Sequence, residues 1–144
     1  MIESDTVKLL RECDAGIRMG TKSIDDVLDY TRGEKLLGHL TRCRDEHNKL
    51  QSEVTELLHK YGDAGKEPSL MAKGMSTVKT EMKFAMDASD HTVADLITDG
   101  CNMGVKSLNR YLNEYKAADE VSKDIAKRLI NLEEKLAVDI RSCL

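Results

Sequence analysis

The chain has 144 residues, enough for one domain with a real core. Hydrophobic residues make up 40% and charged residues 33%, with no Trp, one Phe, four Tyr and one Pro, a balance suited to helices whose seams are filled by unbranched aliphatics. The net charge of −4 is interspersed, so no basic stripe offers a surface to nucleic acid, and no uncharged run approaches the roughly 20 residues of a membrane span.

The opening Met1, Ile2, Glu3, Ser4, Asp5 is acidic and lacks the basic and apolar regions of a signal peptide. Four Cys occur without a C-x-x-C pair. The expectation is a cytoplasmic protein with reduced, packed thiols.

Ser4 is a good N-cap with Asp5 in the first turn, and the first predicted helix runs to about Tyr30. Its apolar line is Val7, Leu10, Cys13, Ile17, Gly20, Ile24 and Val27, in steps of three and four. After a turn at Gly33, a second helix runs from about Glu34 to Lys60. Its seam is Leu36, Leu40, Cys43, His47, Leu50, Val54, Leu57 and Tyr61, a strict heptad register. Gly62 closes it as a C′ residue, and the short connection predicts an antiparallel hairpin.

Residues 62–68 read as a linker. A shorter helix follows over about 69–86, with Met71, Met75, Met82 and Met86 on or near one side, where packing on the bundle is expected. Ser89 or Asp90 caps a third long helix from about His91 to Tyr115. Asp119 caps a fourth that runs to the C-terminus.

The chain repeats itself. Gly16, Met19, Gly20, Lys22, Ser23 and Leu28 recur 84 residues later as Gly100, Met103, Gly104, Lys106, Ser107 and Leu112. A weaker match at an offset of 86 relates the second helix to the fourth and sets Glu133 opposite His47. The predicted fold is therefore all-α: a single four-helix bundle domain over 1–144, of two pseudo-symmetric hairpins (5–61 and 90–144). A long crossover (62–89) containing a short helix joins them and makes the second and third helices parallel. In that arrangement Gly16 and Gly20 are expected to face Gly100 and Gly104 in a close helix crossing. Such packing answers the cost of about 1 kcal/mol for each glycine in a helix interior.

This hairpin–crossover–hairpin order resembles the ferritin-like four-helix-bundle superfamily. It is most similar to a bacterial ferritin-like family of unknown function. The features that carry the resemblance are Leu9, Leu10, Arg11, Glu12, Cys13, Asp14, Ala15 and Gly16; the Glu56, Leu57, Leu58 end of the second helix with Tyr61 and Gly62; and Lys73 with Gly74 in the crossover. Ferritin-like metal proteins use a Glu on each of two helices and Glu-x-x-His on the other two. No Glu-x-x-His occurs here, since Arg44 holds the position three before His47. A complete di-metal set is absent, and iron oxidation or storage does not carry over.

His47 and Glu133 both fall on seam positions of neighbouring helices. One reading is a hydrogen-bonded buried pair that fixes register. The other is a mononuclear or degraded metal site completed by Asp14, Glu46 or Asp99, in which imidazole and carboxylates suit Fe, Mn or Zn. Glu12, Asp14, Asp95 and Asp99 otherwise read as flanking, partly solvated carboxylates. No nucleophile–base pair, phosphate loop or zinc pattern stands out. The function expected is a non-catalytic, structural or interaction role without a cofactor, with self-association as a homo-oligomer. The alternative is metal-binding or redox activity through His47 and Glu133.

Overall fold

The computed structural model describes residues 4–63, 65, 84 and 87–144. Four long helices dominate: α1 (Asp5–Leu28), α2 (Glu34–Lys60), α3 (Asp90–Glu114) and α4 (Glu120–Asp139), with a short 3₁₀ turn at Arg141–Cys143. No strand occurs among the described residues. The chain forms an all-helical four-helix bundle.

Helix starts follow the capping chemistry of the sequence. Ser4 accepts from the Val7 amide, Ser89 from that of Thr92 and Asp119 from that of Ser122. The end of α2 is a Schellman turn: the Gly62 amide reaches the His59 carbonyl, and the Asp63 amide reaches that of Leu58. Gly62 sits at φ 69°, the left-handed conformation this motif asks of its C′ residue. The fourth helix stops at Asp139 rather than continuing to the C-terminus.

The α1–α2 turn has no side-chain cap of its own, because Gly33 stands at the N-cap of α2. The start of α3 supplies one. The Asp90 carboxylate accepts from the amides of Arg32 and Gly33, both at 2.8 Å. At the opposite end, the Ala117 amide donates to Asp5 and the Asp119 amide to Thr6 Oγ1. These ties fix the helix directions: α1 and α3 are antiparallel, while α2 and α3 start at the same end. Arg128 on α4 grips Glu53 on α2 with two hydrogen bonds, at 2.9 and 3.0 Å.

The apolar interior falls into two clusters among the described residues. One is built around Leu10, Ile17, Leu50, Val54, Leu108 and Leu129. The other is built around Ile24, Leu40, Phe84, Val93, Ile97 and Leu136. On every helix the break between them falls at one level: between Ile17 and Ile24, Cys43 and Leu50, Cys101 and Leu108, Ile130 and Leu136. Gly20, His47, Gly104 and Glu133 occupy that level.

Two sequence expectations change here. Tyr61, placed on the α2 seam, is 51% exposed, because α2 has ended and the chain turns outward at Gly62. Asp14, read as partly solvated, is 1% exposed. It takes Arg18 as an ion-pair partner at 3.2 Å and also accepts from Gln51 of α2. Gly65 lies directly on its carboxylate, where any side chain would collide. The short helix expected over about 69–86, with its methionines, lies outside the described residues except for Phe84. That ring is buried and stacked on Tyr30, with centroids 3.9 Å apart.

Candidate functional site

The heptad seam of α2 puts His47 inward, and α4 puts Glu133 inward opposite it; they are 1% and 7% exposed. His47 Nε2 and Glu133 Oε1 lie 3.8 Å apart. That is ion-pair range, longer than a hydrogen bond. His47 Nδ1 lies 2.8 Å from the Cys43 carbonyl one turn earlier and 3.5 Å from its sulfur. A carbonyl only accepts, so Nδ1 carries a proton.

Two polar atoms of this pair are buried without a hydrogen-bond partner among the described residues: His47 Nε2 and Glu133 Oε2. Burial opposes a charge on His47, but the Cys43 side chain and then Glu133 outweigh it and push the imidazole up to about 10. Burial raises the Glu133 carboxyl above its usual range, with His47 acting the other way. At neutral pH the His47 imidazole therefore keeps its proton, facing Glu133 across the layer. Cys101 is next to the pair: its thiol is pushed up to about 12 by burial, then by the charges of Glu133 and Cys43.

The glycines do not form the expected crossing. A Cβ on Gly20 would meet His47 first, at 2.9 Å from Nε2 and 3.0 Å from Cδ2. A Cβ on Gly104 would run into the Glu133 carboxylate, with Cδ at 2.7 Å. Gly16 faces a Leu129 methyl at an ordinary 3.7 Å, and Gly100 has nothing within 4 Å among the described residues. The physical reason is volume. His47 and Glu133 are long side chains reaching inward from α2 and α4, and they need the space that a side chain on α1 or α3 would fill.

The other candidate residues lie apart from the pair. Asp14 is engaged with Arg18 and Gln51. Glu46 is 43% exposed and pairs with Lys49 at 3.0 Å. Asp99 is exposed. Among the described residues no three His, Cys, Asp or Glu side chains gather closely enough to hold a metal ion.

The role of Gly20 and Gly104 as seats for the pair was not read from the sequence. Its signal was available: the two offsets of the repeat that relate Gly20 to Gly104 and His47 to Glu133 concern one and the same layer. Between α2 and α4, Cys43 also lines a cavity of about 290 Å³ with His39, Arg42, Glu46, Lys135 and Asp139. No family model, curated protein or solved structure matches the chain.

Proposed function

We propose that this chain is a ferritin-like bundle whose centre has been closed to a di-metal cluster, and that it serves a non-catalytic, structural or interaction role. The observation that carries the reading is the fit of His47 against Gly20 and of Glu133 against Gly104. At the central level α1 and α3 contribute glycine, and the side chains of α2 and α4 occupy the space. A bundle that binds two metals needs carboxylates from all four helices at that level.

A pseudo-two-fold relation between the hairpins, joined by one long crossover, belongs to the same proposal. It is supported by the paired offsets of the central layer. It is supported again by Arg42, which acts on Asp139 behind Lys135 and His39, since Arg42 and Asp139 stand 86 residues from Arg128 and Glu53. A cytoplasmic setting in a bacterium and self-association are further parts of it. Four free cysteines accord with a reducing compartment, and no helix among the described residues is long and apolar enough to cross a membrane.

The test is elemental analysis of protein purified without chelator or added metal. Substoichiometric iron, manganese and zinc are expected, and one or two ions per chain overturn the reading. A second reading is favoured by the unpartnered His47 Nε2 and Glu133 Oε2: a single metal ion held by this pair. In that case metal copurifies with the chain and is lost in His47→Gln.

A further inference from the structure

We propose that the His47–Glu133 layer decides which hairpin pairs with which: it fits the α1–α2 hairpin to the α3–α4 hairpin and sets each hairpin against a second copy of itself. The inference rests on the pseudo-two-fold relation proposed above. If the two hairpins are equivalent, each presents to the other a surface that a copy of itself could also cover. Something in the chain then has to tell the two pairings apart, and specificity of that kind needs a contact that is good in one and bad in the other.

The named contacts between the hairpins outside the layer do not discriminate. At one end the Gly33 amide donates to Asp90, and at the other the Asp119 amide donates to Thr6 Oγ1, both at 2.8 Å. Asp90 stands 84 residues after Thr6 and Asp119 stands 86 after Gly33, so a hairpin paired with its own copy keeps an oxygen opposite an amide at these ends. On the flank, Arg128 holds Glu53 and Arg42 acts on Asp139. Both hairpins carry the arginine and the acid at matching positions, so self-pairing sets Arg42 against Glu53 and Arg128 against Asp139, again with opposite charges. The buried positions match in kind as well: Ile24 with Leu108, Leu50 with Leu136, Val54 with Ile140. Asp14 bonds Gln51, Thr92 bonds Asp87 and Ser122 bonds Asp119, none of them across the hairpins.

The central layer is different. His47 lies on its seat at Gly20 and Glu133 on its seat at Gly104, each within one hairpin, so the seats survive either pairing. What changes is the group opposite. In this fold His47 Nε2 faces Glu133 Oε1 at 3.8 Å, a base that holds a proton against an acid. Two copies of the second hairpin set Glu133 against Glu133, two carboxyls in an apolar interior that cannot both ionise without a large cost. Two copies of the first set His47 against His47, and burial opposes a charge on either ring. The layer thus favours pairing of unlike hairpins at the one level where the two halves of the chain differ in charge. It steers each chain toward closing on its own second half, away from like-with-like contacts that link one chain to the next.

The experiment uses three full-length variants: His47→Glu, with a carboxyl at both positions; Glu133→His, with an imidazole at both; and the double variant His47→Glu/Glu133→His. All are unfolded in urea and refolded with a chelator present, so that no metal ion contributes. The double variant reverses the pair on its two glycine seats and is expected to regain most of the urea midpoint that each single variant loses. If it regains none, the two positions are not equivalent, and the pseudo-two-fold relation fails together with the inference. The two single variants are then unfolded, mixed in equal amounts and refolded together. Native mass spectrometry is expected to find a dimer with one chain of each kind, several-fold above the proportion that chance gives, because each first hairpin meets its complement only on the other chain. A reversed pair that regains stability, together with mixing at the chance proportion, overturns the pairing role and leaves the pseudo-two-fold relation standing.

Discussion

At the scale of single residues, the repeated glycines divide into two kinds, and substitution by alanine separates them. Gly20 and Gly104 are seats for the buried pair, so an added methyl displaces His47 or Glu133. Gly20→Ala and Gly104→Ala are each expected to cost about 1–3 kcal/mol, in the range for overpacking a filled interior. Gly100 meets nothing within 4 Å among the described residues and Gly16 has an ordinary contact, so Gly100→Ala and Gly16→Ala are expected to stabilise by up to about 1 kcal/mol through helix propensity. Urea unfolding of the four variants checks this. Four equal costs would mean that the glycines share one role after all.

The charge on His47 gives a second residue-scale prediction. Its folded value is raised, so the stabilisation is fully present below the ordinary imidazole value and is lost as pH rises through about 10. Above that, the Glu133 carboxylate is buried without its counter-charge. The melting temperature is expected to fall from pH 7 to pH 10.5 more in the native chain than in His47→Gln/Glu133→Gln. Parallel curves would show that the pair carries no linked proton.

At the scale of elements, most of the bundle was legible because helix boundaries are set by local chemistry. Ser4, Ser89 and Asp119 cap as their side chains dictate, and the strict register of α2 turned His47 inward correctly. What fills the space beside a glycine was not legible. Periodicity gives the face on which a position lies, and a residue without a side chain leaves its neighbour undetermined. The same gap concealed Asp14, whose burial depends on Gln51 and Gly65, distant in sequence.

The joint between elements that matters most is Asp90. It completes the N-terminus of α2 from another helix, through two short bonds to backbone amides. Loss of both is expected to cost about 2 kcal/mol, since bonds to a charged acceptor are worth more than neutral ones. Asp90→Ala should show that loss in urea. Glu53→Ala, which removes a half-exposed partner of Arg128, should cost under about 1 kcal/mol. If the two variants lose the same stability, the Asp90 tie is no more than a surface contact.

At the scale of the molecule, one polar layer divides an otherwise continuous apolar interior into two clusters. A buried ion pair costs desolvation that its mutual attraction does not always return, and here one oxygen and one nitrogen have no hydrogen bond among the described residues. That balance favours a device for register or for binding over one for stability, and a double variant tests it. Replacing both partners with leucine should join the two clusters and raise stability by about 1–4 kcal/mol, the range seen when apolar side chains replace buried ion pairs. His47→Leu alone should lower it by about 3–5 kcal/mol, because Glu133 then lies buried without its partner. The sign of the double variant decides the matter in chemical denaturation. If it is less stable than the native chain, the layer is itself a principal source of stability. If it is more stable, the layer costs the fold stability, and its use lies in register or in binding.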